Sequence, residues 1–391
     1  MNALNNLNKF LLALWGISLA LLFIVVATVD QDKAIIVAEG QMNIEEPIPS
    51  PTINIENDIK DKNEPISERE QQAPKESIRL AMAGDILLHL RLAKYNDFTS
   101  SFSAVTQMMQ SYDFLIANQE SPPVGNEYPL SGYPLFSSPP HIIRDIQHAG
   151  VDLVTIANNH IIDQGENGMR TVFNNLEDYH MPYVGAYKNE DDRSTQRIME
   201  IGSIKIGLLA YTYGTNGLYL PQESPFLINY IDEAKIKADV EELKQSVDVV
   251  AVSMHWGSEY VYEANDNQKH YADILNEAGA DIIFGTHPHV LQPYDKLINE
   301  QGQETHIFYS LGNFFSTIIT IPNTMIGGIA SLEITKEGDR ITIDEPELYA
   351  TSVILDADGI YRVYPLKDVE QRSVKNLQWV KQIMGQHVTV Y

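Results

Sequence analysis

The chain has 391 residues, 44% of them hydrophobic, which is enough for one large globular unit with appendages or two modest domains. A formal charge of −26, from 27 Lys+Arg against 53 Asp+Glu, argues against a nucleic-acid partner and repels polyanions unless a metal or a local basic patch offsets the field. With no cysteine, disulfides are excluded, and any transition metal must be held by nitrogen and oxygen ligands.

Phe10 to Val29 is an uncharged apolar run long enough to span a bilayer as a helix. Lys9 before it and Asp30 and Asp32 after it predict a single-pass membrane anchor at residues 1–29, with the rest of the chain outside the cytoplasm. A cleaved signal peptide is the rival reading, because Val25-Val26-Ala27 would pass as a cleavage site. Residues 30–76 hold twelve acidic against five basic residues, with Pro47, Pro49, Pro51, Pro65 and Pro74. Such a segment buries too little apolar surface to offset its ordering entropy and predicts a disordered stalk.

From Ile78 onward strands and helices alternate in one domain, 77–391, with a core at 78–315 and C-terminal strands and a helix at 316–391. Ile78–Ala83, Tyr112–Ala117, Val151–Ala157, Val247–Met254 and Ala280–Phe284 read as buried strands, with two more at Ile206–Thr212 and His306–Leu311. Helices are expected at Pro139–Ala149 (stopped by Gly150), Glu166–Tyr179, Asp232–Ser246 and Asn267–Ala278. Short strands, expected to be antiparallel, follow at Gly328–Ile334, Arg340–Leu348, Thr351–Leu355 and Tyr361–Leu366, and a last helix at Ser373–Met384.

Five polar motifs directly follow the five buried strands: Gly84-Asp85, Asn118-Gln119-Glu120, Asn158-Asn159-His160, His255-Trp256-Gly257 and Gly285-Thr286-His287-Pro288-His289. In an α/β sheet the loops at the carboxyl ends of strands meet in one crevice. His287 and His289, one residue apart, can aim two imidazoles at one ion. Each of the others has a bland alternative: Asp85 as a helix N-cap, Glu120 as a solvated loop acid, Asn159 as turn chemistry and His255 as a satisfied structural residue. Their shared position at strand ends favours a divalent metal site, with His160 as an acid or base toward a leaving group.

The motif order resembles the CapA family, associated with poly-γ-glutamate capsule synthesis, whose domain is similar to a calcineurin-type metallophosphatase. The stretches that carry the resemblance are Ala83–Leu88, Ala117–Pro122, Ala157–Gly165, His255–Tyr260, Gly285–Val290 and Tyr309–Phe314. It implies a four-layer α/β/β/α sandwich behind the anchor and stalk, and one or two divalent ions (Mn, Fe or Zn). By resemblance Glu120 bridges the ions, Asn159, His255 and His287 complete one shell, Asp85 and His289 hold the other, and His160 is the catalytic histidine. Leu87 departs from the pattern, standing where an Asp-x-His motif places a ligand; His89 is the nearby substitute.

The family reading implies a cell-membrane protein with an extracytoplasmic domain, acting with other capsule-synthesis membrane proteins on an anionic polymer in its synthesis or export. Two alternatives stand beside it. One is a metal-dependent hydrolase of a phosphoester or polymer amide. The other is a catalytically degenerate interaction module, for which residual acid–base chemistry would fall to Asp85, Glu120 and His160.

Overall fold

Side chains alternate along the first strand, β1 (Lys75–Leu87): Leu80 and Met82 enter one apolar cluster, Ala81 and Ala83 another. The structure, a computed structural model, describes residues 75–391. The expected anchor (1–29) and nearly all of the expected stalk (30–76) lie outside the described residues. Among the described residues no helix is long and apolar enough to cross a membrane. Lys75 and Glu76, assigned above to the stalk, instead begin β1. They pair with Glu337 and Lys336, and the Glu76 carboxylate accepts the Ser203 N–H at 2.9 Å. Their polar composition hid a strand edge.

Parallel to β1 run β2 (Phe114–Gln119), β3 (Leu153–Thr155) and β4 (Tyr183–Val184), with α1 (His141–Ala149) between β2 and β3, and α2 (Gly165–Asp178) after β3. Gly150 closes α1 at φ 120°, donating its N–H to Ile146 and Gln147 carbonyls. The chain then builds a second sheet from β5 (Ile198–Ile201), β6 (Ile204–Thr212), β7 (Val249–His255), β8 (Ile282–Thr286), β9 (Leu291–Ile298) and β10 (Glu304–Leu311). Its spatial order is β9-β10-β8-β7-β6-β5, with β6, β7, β8 and β10 parallel. Two helices cover its outer face, α3 (Glu233–Lys244) and α4 (Asp266–Ala278). Asn265 caps α4 in a reciprocal capping box with Gln268.

After β10 the chain returns to the first sheet. β11 (Asn313–Ser316) pairs parallel with β1; β12 (Ile326–Glu337), β13 (Arg340–Leu355) and β14 (Tyr361–Pro365) add antiparallel strands, giving the order β14-β13-β12-β1-β2-β3-β4. The expected strands Arg340–Leu348 and Thr351–Leu355 are one: Tyr349 and Ala350 stay in register with Ile329 and Gly328. The last helix, α5, covers Leu377–Met384 rather than starting at Ser373, because Asn376 caps it by accepting the Trp379 N–H.

Three apolar clusters separate four layers. One lies between the first sheet and its helices, one between the two sheets, and one between the second sheet and α3 and α4. Alternation sorts the strands between them. Val249 and Ala251 join the inter-sheet cluster while Val250, Val252 and Met254 face the helices, and Ile282 and Phe284 divide from Ile283 in the same way. The α/β/β/α order aligns the carboxyl ends of both sets of parallel strands along one edge, which is where the polar motifs sit.

Gly84 shows how closely the sheets approach there. A Cβ at this position would lie 2.0 Å from the Gly312 carbonyl oxygen and 2.9 Å from that of Leu311, both backbone atoms. Gly84→Ala is expected to destabilise the protein by about 1–3 kcal/mol, because backbone cannot rotate away as a side chain would. It would also displace Asp85, whose N–H donates to Gly312 O at 2.9 Å. Chemical denaturation of the variant beside wild type measures the loss.

Candidate metal centre

Asp85 lies at the irregular end of β1, where the register with both β2 and β11 shifts. It is fully buried, and its carboxylate is fixed on two sides: Oδ1 accepts from Asn118 Nδ2 at 2.8 Å, and Oδ2 from the His287 N–H at 3.2 Å. Asn118 in turn accepts from the Thr155 hydroxyl at 3.2 Å and Asn158 Nδ2 at 3.4 Å. One amide thus ties the ends of β1, β2 and β3 together.

Glu120 follows β2 and is also fully buried, yet neither carboxylate oxygen has a hydrogen-bond partner. His255 Nε2 stands 3.6 Å from Oε1, and His289 Nδ1 stands 3.9 Å from Oε2. Burial, followed by the charge of Asp85, pushes the Glu120 carboxyl well above the usual carboxylate range.

His255 closes β7. Its Nδ1 meets the Thr286 hydroxyl at 2.9 Å, and Nε2 faces Asn159 Oδ1 at 3.0 Å. Thr286 thereby holds the ring with its second nitrogen aimed at Glu120 and Asn159, the arrangement that orients a ligating imidazole. His287 and His289 follow β8 and both take left-handed backbone, at φ 94° and 58°. Non-glycine residues rarely adopt it, so the loop stores strain at the place where its side chains converge. His289 Nδ1 contacts Asn313 Oδ1 at 2.9 Å and Asp85 Oδ2 at 3.3 Å. His287 Nδ1 is buried without a partner.

Burial, then the neighbouring imidazoles, drives His255 and His287 well below the ordinary histidine value, which leaves them neutral and able to ligate. Burial also acts to lower His289, but the charge of Glu120 and the hydrogen bond and charge of Asp85 outweigh it and raise it to about 9. The upward shifts of both Glu120 and His289 describe a corner with two carboxylates and too few hydrogen bonds, which retains a proton in the absence of a cation. A divalent ion would replace that proton and satisfy the orphaned oxygens and nitrogen.

The donor set fits such an ion. Ligand atoms of Glu120, His255 and His287 lie within 4.8 Å of one another, as do those of Asp85, Glu120 and His289, so Glu120 is common to both groups. All are nitrogen or carboxylate oxygen, suited to Mn, Fe or Zn. Asn159, one hydrogen bond from His255, flanks the first group and donates its Nδ2 to Asn216 Oδ1 at 3.3 Å.

His160 belongs to a neighbouring arrangement. Its Nδ1 meets Asp163 Oδ2 at 2.8 Å, and that oxygen also accepts the Phe136 N–H at 2.7 Å. The Phe136 ring packs edge-on against the imidazole at 4.7 Å. The Asn158 side chain accepts the His160 N–H at 3.1 Å, so Asn158 shapes the turn and leaves Asn159 and His160 to face the crevice. His160 is near enough for its charge to act on both His255 and His287.

Leu87 is buried and supplies no donor. His89, the substitute considered from sequence, is absent from the close ligand groups; it begins a short helical turn, contacts Ser316 Oγ at 3.4 Å and packs on Phe136. Burial lowers its pKa to about 4.

Several residues at the site carried no assigned role in the sequence. Asp163, Glu259 and Asn313 sat unassigned within motifs, although each is a polar side chain beside a histidine in the fold. Tyr213 lay outside every motif. Its ring tilts over His287 at 4.6 Å and stacks toward His255 at 6.3 Å, a contact made only when β6 and β7 pair.

Residues 79–317 match the family model for the bacterial capsule synthesis protein PGA_cap. The capsule biosynthesis protein CapA of Bacillus anthracis is 29% identical over 268 residues, covering 64% of this chain and 61% of that protein. The PGA biosynthesis protein CapA of Bacillus subtilis (strain 168) is 29% identical over 245 residues, covering 60% and 62%. The chain therefore spans less than two thirds of the length of these relatives. Among solved structures, a hypothetical protein from Thermus thermophilus aligns with a TM-score of 0.44 at 19% identity, over 70% of this chain and 99% of that one. A calcineurin-like phosphoesterase from Bacillus subtilis aligns with a TM-score of 0.41 at 14% identity, over 71% and 91%.

Proposed function

The chain belongs to the bacterial capsule synthesis protein family PGA_cap, and from that premise we propose that it acts, through a divalent-metal centre, in the synthesis or export of an anionic capsular polymer such as poly-γ-glutamate. The observation that carries the metal reading is Glu120, a fully buried carboxylate with no hydrogen-bond partner on either oxygen, common to two three-donor groups. An isolated buried charge is costly, and a cation is the partner that this set of nitrogen and oxygen atoms suits.

In this reading the protein is a single-pass cell-membrane protein anchored through residues 10–29, with its catalytic domain outside the cytoplasm beside other capsule-synthesis membrane proteins. The net charge of −26 repels a polyanion in bulk, so contact would be local, at a basic patch or through the metal centre.

Asp85, Glu120, His255, His287 and His289 would hold the metal, with Asn159 beside them. When bound, the metal would polarise a phosphoester or amide and acidify water. The chain's own residues do the rest. Asn118 fixes the Asp85 carboxylate, and Thr286 sets the direction of the His255 ring. Asp163 keeps a proton on His160 Nδ1 and leaves Nε2 to exchange a proton with a leaving group. This dyad favours hydrolysis of a phosphoester or polymer amide as the chemistry. The apolar Leu87 favours the competing reading, an interaction module that has lost part of its ligand set.

Deletion of the gene is expected to reduce the amount or chain length of surface polymer; unchanged polymer would remove the capsule role. Complementation separates the other readings. Failure of His287→Ala to restore polymer supports a working metal centre, and full restoration supports the interaction module.

A further inference from the structure

Glu259 holds a position that the ligand set described so far does not use. Trp256 Nε1 donates to the Tyr309 carbonyl at 3.0 Å and anchors the turn after β7. Further along the same turn, the Tyr260 N–H donates to the Pro288 carbonyl at 2.8 Å, while Tyr260 itself takes left-handed backbone at φ 66°. A bulky residue is held in that conformation only when its surroundings over-determine it. The two bonds lay the segment that carries Glu259 across the His287-Pro288-His289 loop.

The side chain ends close to both histidines. A carboxylate oxygen of Glu259 and ligand nitrogens of His287 and His289 lie within 4.8 Å of one another. His287 Nδ1 is buried and has no partner. Glu259 shares His287 with the Glu120–His255–His287 group and His289 with the Asp85–Glu120–His289 group. Glu120 approaches those groups from the fully buried side, whereas Glu259 is exposed.

Resting on the metal reading above, we infer that Glu259 is a third carboxylate ligand, which closes the solvent side of the centre at His287 and His289. A donor from this turn is chemically sufficient here because an ion selects the number and type of ligand atoms, not their place in the sequence. An exposed glutamate on a pinned turn also loses less on substitution than a core residue, so its removal reads on the metal and not on the fold.

The test is Mn2+ binding to the full chain, with free Mn2+ counted by electron paramagnetic resonance in wild type, Glu259→Gln, Glu259→Asp and His287→Ala. Glu259→Gln is expected to weaken Mn2+ binding about tenfold or more with an unchanged circular dichroism spectrum, and Glu259→Asp to recover part of the loss. A Glu259→Gln isotherm superimposed on wild type, with binding lost only in His287→Ala, would overturn this inference and leave the metal reading standing. Absence of binding in wild type to Mn2+, and to Zn2+ and Fe2+ titrated in its place, would overturn both.

Discussion

Glu120→Gln is expected to raise the thermal stability of the metal-free protein and to abolish the further stabilisation that a divalent cation gives wild type. Without metal, wild type buries two carboxylates side by side, and neither oxygen of Glu120 is hydrogen-bonded. A neutral amide of the same shape removes the charge that burial and Asp85 oppose, an effect on the order of 1–3 kcal/mol. The sign follows from linkage. The folded-state pKa of Glu120 lies above its unfolded value, so its favourable contribution is complete below the unfolded pKa and is lost as pH rises through the folded one. The gap between variant and wild type should therefore widen as pH increases. Saturating metal should reverse the order, since a ligand at about a hundredfold excess over its dissociation constant adds about 2.7 kcal/mol to the state that binds it. Scanning calorimetry of both proteins with and without Mn2+ checks each limb. A variant less stable than wild type when both are metal-free would show that the orphaned carboxylate does not carry this cost.

His160→Ala is expected to lower turnover of a chromogenic phosphodiester by about 10²–10⁴-fold while leaving the metal content unchanged. The imidazole makes no contact in the ligand groups, and its Nδ1 is committed to Asp163. Its removal should therefore take away proton transfer without taking away the ion. Asp163→Asn should act in the same direction, because an amide can donate to Nδ1 and favour the wrong tautomer at Nε2. Its effect should appear in kcat more than in KM. Unchanged turnover in His160→Ala would remove His160 from the chemistry and shift weight to an assembly role. Loss of metal from His160→Ala would instead make it part of the binding site.

Much of the scaffold is written in local pattern. Val249–His255 and Ile282–Thr286 are buried on both faces, and their continuous apolar runs announce parallel strands. The positions of Asp85, Glu120, Asn159, His255, His287 and His289 at strand ends follow from where those runs stop. Elements without period were not legible. The turns at Leu90–Ala93, Thr99–Phe102 and Thr106–Met109 are four residues each, too short to show helical spacing. Local pattern divides β13 near Tyr349, because it does not show that β12 templates the strand through a register shift between Ser331 and Glu333. The supporting contacts at the site were invisible for a different reason. Asn313 reaches His289 because β11 returns to the edge of β1, and Tyr213 covers His287 because β6 lies beside β7. Such contacts belong to topology, and no local window of sequence contains them.

The most direct test is elemental analysis of the full chain, with metal counted per molecule for wild type and His287→Ala. The metal-centre account predicts about one or two equivalents of Mn, Fe or Zn in wild type, and their loss in the variant, whose fold should persist. No metal in either protein after soaking with each ion would contradict it, and would leave the buried Glu120 carboxylate to acid–base chemistry or to no chemistry at all.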